Sequence, residues 1–169
     1  IEMRILITGV SGQLGSEIYK ISKHENYGTY FKTTPEHSGE KLFKIDLGIR
    51  DDVIALVEKI KPDWIIHCAA ATKIDWCEAN KDSAWVSNVD ATKNIVEACS
   101  KFGSKLLLVS TDYVFDGMKG MYKEDDIPNP INFYGKTKLS AEWWAMNSEH
   151  YVIVRSSLLY SGSEGSSMK

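Results

Sequence analysis

"ILITGVSGQLG", residues 5–15, is the stretch from which the fold can be read. A β-type apolar run leads straight into Gly9, Gly12 and Gly15, spaced three apart. Glycine costs chain entropy, so it is expected where the backbone needs a conformation or an approach that a Cβ would block. A glycine at a strand end permits a tight turn. A second lets the backbone close on a pyrophosphate, and a third lets a helix pack against the strand. The helical pattern that follows Gln13 offers free N–H groups and the positive end of its dipole to phosphates. Ser11 is placed to add a hydroxyl donor. A tight turn without a ligand is the plain alternative, but a strand before and a helix after are the context a dinucleotide turn requires.

Working outward, short apolar runs alternate with amphipathic stretches. Strands are expected at 3–8, 28–32, 42–45, 64–68, 105–110 and 151–155, with helices at 13–24, 50–60, 83–102 and 132–146. Pro62 and Gly103 stand just past two of these helices, as stop signals do. The alternation predicts an α/β fold, a doubly wound parallel sheet of Rossmann type. Residues 5–7 and 106–109 are apolar at every position, as strands covered on both faces require. No internal repeat or linker interrupts the pattern. One dinucleotide-binding domain over residues 1–169 is expected, with 112–130 its longest irregular stretch, a length that usually signals function or disorder.

The composition is ordinary for a globular chain: 169 residues, 43% hydrophobic and 25% charged, net charge −3. That balance points to neither nucleic acid nor a membrane surface as partner. No apolar run approaches the roughly 20 residues of a membrane helix, and the run at 5–10 is too short for a signal peptide. Cys68, Cys77 and Cys99 form no C-x-x-C pair; two lie in apolar surroundings and read as small core residues of a cytoplasmic, reducing compartment, with no metal site expected.

An acidic residue at the end of the second strand would take the ribose 2′-hydroxyl of NAD. Lys32, Thr33 and Thr34 stand there instead. A lysine and hydroxyls suit a 2′-phosphate, so NADP is the expected cofactor and NAD the alternative. "HCAAA" ends another strand, and its small residues Ala69, Ala70 and Ala71 leave room for a flat cofactor. His67 reads as a satisfied residue at a strand end rather than a catalyst. In "FYGKTKLSAEWWA", Tyr134 and Lys138 lie four apart and so share one helix face. A free tyrosine has a pKa of about 10, and a nearby ammonium favours its phenolate. The pair is therefore a candidate general acid or base. Ser110, Thr111 and Asp112 fall at the carboxyl end of a buried strand, where ligands of such sheets bind. Of Trp143 and Trp144, one is expected in the core and one partly exposed, with a homodimer surface as the alternative.

"ITGVSGQLG", "DLGIRD", "HCAAATKIDWCE", "NVDATKNIVEAC" and "VSTDYVFDG", followed by "YKEDDIPNPINFYGKTKLSAE" and "VRSSLLYSG", together resemble the extended short-chain dehydrogenases/reductases. Within these, the dTDP-4-dehydrorhamnose reductases and their sugar-nucleotide relatives are the nearest. The resemblance implies NAD(P)H-dependent reduction of the 4-keto group of a dTDP-linked deoxysugar, as in dTDP-rhamnose synthesis. Thr111, Tyr134 and Lys138 match the catalytic trio. Gly9, Gly12, Gln13, Leu14 and Gly15 match the dinucleotide turn, Asp46 and Leu47 the pair lining the adenine, and Ala69 to Ala71 the segment under ribose and nicotinamide. Asn88 matches an asparagine of the helix behind the site. Asp112 and Val114 fall on the substrate side. Glu124 and Asp126 recur in the motif, although "KEDD" reads as a solvated loop.

Members of this family continue well beyond the 151–155 strand, into most of their nucleotide-sugar lobe. The expectation is therefore a cofactor domain whose residues 156–169 are flexible or begin that lobe. Alone it would bind NADP(H) yet reduce sugar poorly. A second class shares the glycine turn: the non-catalytic, NADP-binding beta subunit of methionine adenosyltransferase. Sugar-nucleotide epimerases share Tyr and Lys but hold NAD, for which the acid after the second strand is missing. Dehydratases commonly carry an acidic pair after the threonine, whereas Tyr113 follows Asp112 here.

Overall fold

The computed structural model describes residues 2–36, 39–157 and 159. Six strands form one parallel sheet: β1 (Arg4–Thr8), β2 (Glu25–Tyr30), β3 (Leu42–Lys44), β4 (Trp64–His67), β5 (Lys105–Thr111) and β6 (Tyr151–Ser156), in the order β3-β2-β1-β4-β5-β6. The chain steps outward from β1 to β3, then returns to the other side of β1 and steps outward again. Connections therefore leave β1 and β4 in opposite directions, which opens a crevice at their carboxyl ends. Register places Thr8 directly beside His67 across that divide.

Alternation explains why β1 and β5 look apolar throughout. Leu6, Ile65, Leu106 and Leu108 point to one face. There they meet α2 (Arg50–Ile60), α5 (Ala91–Phe102) and α6 (Phe133–Ala145) through Val53, Val57, Ile95 and Ala141. Ile5 and Ile7 point to the other face, against Ile18 and Tyr19 of α1 (Gln13–Ile21). Burying one such side chain contributes about 1.5–3 kcal/mol, so the two layers hold the sheet between them.

Several boundaries differ from expectation. The first helix ends at Ile21, not 24, because the Asn26 amide donates to the Tyr19 and Ser22 carbonyls and β2 begins at Glu25. The helix expected over 83–102 starts earlier, as α4 (Lys81–Trp85), and passes through a wide π-turn at Val86–Asp90 before α5. It ends at Gly103 in the left-handed conformation, as its stop signal implied. A short helix the sequence reading missed, α3 (Ile74–Ala79), precedes it. Strand β5 runs on to Thr111 and passes into a 3-10 turn, Asp112–Val114.

The long irregular stretch is pinned by its own side chains. The Asp116 carboxylate accepts from the Met118 amide, the Asn129 amide group and the Tyr122 hydroxyl, which hold its pKa down at about 2. Phe115 stacks on Tyr122 at 4.4 Å. Asp126 pairs with Lys119 at 2.7 Å. Both tryptophans of α6 are substantially exposed, Trp143 at 60% and Trp144 at 38%, so neither fills the core as expected. Of the C-terminal segment 156–169, residues 158 and 160–169 lie outside the described residues.

Candidate active site

The three glycines do different work. Gly9 has φ +73°, and a Cβ there would lie 2.8 Å from the Ala69 Cα. A Cβ on Gly15 would collide with the Gly9 carbonyl. Packing alone thus demands glycine at both positions. Gly12 differs: a Cβ there meets only the Gly9 oxygen, at 3.3 Å, and otherwise enters open space. No side chain caps α1 and no acidic residue stands in its first turn. Open amides, a positive helix end and a cradle that a Cβ would fill together fit a diphosphate. Ser11 and Gln13 are exposed beside it, Leu14 is half-buried and Gly15 is buried.

The other cofactor candidates lie along the same carboxyl edge. Lys32 stands exposed just past β2, its ammonium 5.8 Å from the Phe31 ring centre. Asp46 accepts the Gly48 amide at 2.9 Å, and the buried Leu47 gives its carbonyl to Asn94. Half-buried Ala69, Ala70 and Ala71 follow β4, with Ala69 packed on the glycine turn.

Thr111, Tyr134 and Lys138 converge at the ends of β5 and α6, all three nearly buried. The Thr111 hydroxyl donates to Asp112 at 3.1 Å and accepts the Tyr113 amide at 3.2 Å. Helix α6 starts where it does because Asn132 caps it, accepting the Gly135 amide at 2.7 Å. Gly135 lets the 3-10 turn seat on that first turn, since a Cβ there would collide with the Tyr113 carbonyl. The Tyr113 ring stands edge-on to Tyr134 at 6.0 Å.

Electrostatics correct the sequence-based picture. Burial pushes the Tyr134 pKa above its ordinary value, and the neighbouring Thr111 hydroxyl opposes that only in part. The Lys138 ammonium donates to the Val109 carbonyl at 2.8 Å. Burial lowers the Lys138 pKa to about 8. Tyr134 therefore holds its proton at neutral pH, which suits an acid rather than a base. Val114, expected on the substrate side, is fully buried and shapes the turn from within, whereas Asp112 is exposed. Asn88, expected at the cofactor, is 1% exposed and acts through others. Its amide accepts from the Ala71 N–H at 2.7 Å and donates to the Ala71 carbonyl at 3.0 Å and to Thr137 at 2.9 Å.

A buried chain of hydrogen bonds that sequence reading missed links these parts. Thr8 Oγ1 accepts the Cys68 and Ala69 amides, both at 3.1 Å. Its own proton must then go to His67 Nδ1, 2.7 Å away. His67 Nε2 therefore carries the ring proton and faces Thr92 Oγ1 at 3.2 Å, and Thr92 in turn donates to the Asn88 carbonyl at 2.7 Å. Every donor has one acceptor only if the ring is neutral. Burial agrees, lowering the His67 pKa to about 3, with the Lys138 charge adding to it. The unfolded chain binds a proton at this histidine below about 6.5 and the folded one does not. Stability therefore falls as pH drops from about 6.5 towards 3. Urea unfolding at pH 7 and pH 5 should show that loss, and His67→Gln should flatten it. A threonine or a histidine at a strand end gives little hint of such a chain; the pairing of Thr8 with His67 exists only through sheet register.

Fold and site together define a dinucleotide-binding Rossmann domain of the NAD(P)-dependent short-chain dehydrogenase/reductase class. The family model described as "RmlD substrate binding domain" matches residues 3–169, and the chain belongs to that family. It is 39% identical over 162 residues to methionine adenosyltransferase 2 subunit beta of Xenopus tropicalis, covering 93% of this chain and 47% of that protein. It is 38% identical over 156 residues to dTDP-4-dehydrorhamnose reductase of Aggregatibacter actinomycetemcomitans, covering 91% and 51%. The chain thus spans about half the length of the curated relatives it matches. Among solved structures, the Bacillus anthracis dTDP-4-dehydrorhamnose reductase in complex with NADP superposes with a TM-score of 0.83 at 34% identity, over 95% of this chain and 55% of that one. Bordetella bronchiseptica WbmG, in complex with NAD and UDP, gives 0.80 at 26% identity, over 92% and 53%. Structural relatives therefore bind NADP or NAD. No helix among the described residues is long and apolar enough to cross a membrane.

Proposed function

We propose that this domain binds NADP(H) and reduces the 4-keto group of a dTDP-linked deoxysugar, as part of a reductase of the dTDP-4-dehydrorhamnose type. The observation that carries the reading is the convergence of Thr111, a protonated Tyr134 and the Lys138 ammonium at the sheet edge that also holds the open glycine cradle. The bound nicotinamide supplies the hydride for the ketone carbon. Tyr134 gives its proton to the forming alkoxide, and Thr111 hydrogen-bonds the same oxygen. Lys138 exchanges the Val109 carbonyl for a ribose hydroxyl of the cofactor. Asp112 faces the substrate side. Lys32, with no carboxylate beside it among residues 31–34, favours the 2′-phosphate of NADP.

Two measurements test this. Fluorescence titration of the chain should show NADPH bound more tightly than NADH. The whole protein should oxidise NADPH when given a dTDP-4-keto-6-deoxysugar. Binding of neither coenzyme at millimolar concentration overturns the reading.

A second reading is favoured by the 39% identity to the Xenopus tropicalis subunit. In that reading the domain of this chain binds NADP and regulates a methionine adenosyltransferase without turnover. Co-purification with a methionine adenosyltransferase catalytic subunit, and no sugar-dependent NADPH oxidation, would select it.

A further inference from the structure

The stretch between β5 and α6 begins at Asp112, one residue after Thr111, and ends at Asn132, two residues before Tyr134. It joins two members of the site, so its placement shapes the space between them. Its own bonds are local. The Phe115 amide donates to the Asp112 carbonyl at 3.0 Å and the Asn129 amide to the Val114 carbonyl at 2.9 Å. Asp116 gathers Met118, Tyr122 and Asn129, and Phe115 stacks on Tyr122. These contacts give the stretch a shape without tying its middle to the sheet.

A side chain from β6 makes that tie. Register sets Arg155 beside Ser110 of β5, and its guanidinium is shared between the core and the loop. On the core side, Nε and Nη2 donate to the two oxygens of Glu142 on α6, at 3.0 and 2.7 Å. Glu142 is 0% exposed and also accepts the hydroxyl of Ser110, the residue before Thr111. On the loop side, Nη1 donates to the Glu124 carbonyl at 3.2 Å, and the guanidinium lies over the Phe115 ring, 5.0 Å from its centre. A guanidinium gripped by both oxygens of a carboxylate is fixed in direction, and its planar cation is attracted to an aromatic face.

We propose that Arg155 is a positioning residue: it clamps the 115–129 segment to β5, β6 and α6, and so preforms the sugar side of the site between Thr111 and Tyr134. The proposal rests on the reading of this site as one for a nucleotide-linked sugar, and deepens it by naming what holds the loop on that side. The hydrogen bonds of the guanidinium go to Glu142 and Glu124, not to Thr111, Tyr134 or Lys138. Its effect is therefore on the fit of the sugar, not on proton transfer or the dinucleotide. The residue type matters as well. A lysine has one nitrogen, enough for Glu142 or for Glu124, whereas the arginine fork serves both at once.

Hydrogen exchange on the chain itself tests the clamp without turnover. Arg155→Lys keeps a cation for Glu142 and gives up the loop contacts. Arg155→Met/Glu142→Gln removes both buried charges together, while the glutamine still accepts the Ser110 hydroxyl. In both variants the amides of Phe115, Met118 and Asn129 should exchange at least about tenfold faster, and those of Leu106, Leu108 and Ile153 should stay within about twofold of the parent. In the whole protein, Arg155→Lys should raise KM for a dTDP-4-keto-6-deoxysugar by about fivefold or more, with kcat within about threefold and NADPH affinity unchanged.

Loop amides that exchange as in the parent would overturn the proposal, and so would equal acceleration in the loop and the strands, which marks general loosening. A faster loop with an unchanged KM would overturn the positioning role. If Arg155→Lys does not fold, the double variant decides by the same exchange. Failure of both to fold would count against the proposal, because the arginine would then hold the sheet and not the loop. A parent protein that binds NADPH but turns over no sugar counts against the functional reading alone; the exchange result still decides the clamp.

Discussion

Tyr134→Phe should lower sugar reduction by about 10²–10⁴-fold, the range expected when a positioned proton donor is removed. NADPH affinity should stay within a few-fold. The phenol is the one acidic proton placed beside Thr111, and burial keeps it on the oxygen at neutral pH. Phenylalanine fills the same volume, and Thr111 retains its bonds to Asp112 and the Tyr113 amide. Loss of rate with retained binding would therefore be loss of the proton, not of the fold. Steady-state kinetics of the whole protein, with fluorescence titration of NADPH on the same variant, separate the two. Undiminished turnover would remove Tyr134 as the donor.

Gly12→Val should abolish dinucleotide binding, weakening it by about 100-fold or more, while the chain still melts cooperatively. The structure makes this sharper than a general statement about glycine turns. At Gly12 a side chain has room in the protein itself and meets only the Gly9 oxygen; it occupies the space that the helix amides offer to phosphate. Gly15→Val is the control with the opposite signature. There the side chain collides with the Gly9 carbonyl, so the melting temperature should drop along with binding. Equal loss of stability in both variants would show that the turn is a packing feature only.

Much of the fold was legible because its signals are local. The apolar runs at 5–7 and 106–109, the glycines, and the stop at Gly103 each follow from the chemistry of a few neighbouring residues. The boundaries that went astray depended on partners elsewhere. Helix α1 stops early because a side chain on β2 takes its last carbonyls, and the π-turn at Val86–Asp90 interrupts a helical pattern that reads as continuous. At the site, Tyr134 and Lys138 were visible from their spacing. Val114 and Asn88 were drawn into the site by their positions in motifs, but burial turns one inward and sets the other to hold Ala71 and Thr137.

The sequence by itself determined the parallel α/β architecture, the glycine turn that opens the first helix and the Tyr–Lys pair on one helix face. Periodicity and glycine placement are properties of consecutive residues, and they survive without knowledge of the rest. Only the tertiary structure decided the charge states. Whether Tyr134 is acid or base and whether His67 is charged both depend on burial and on partners from separate elements. Desolvation and charge pairing act through space, between residues brought together only by the folded sheet.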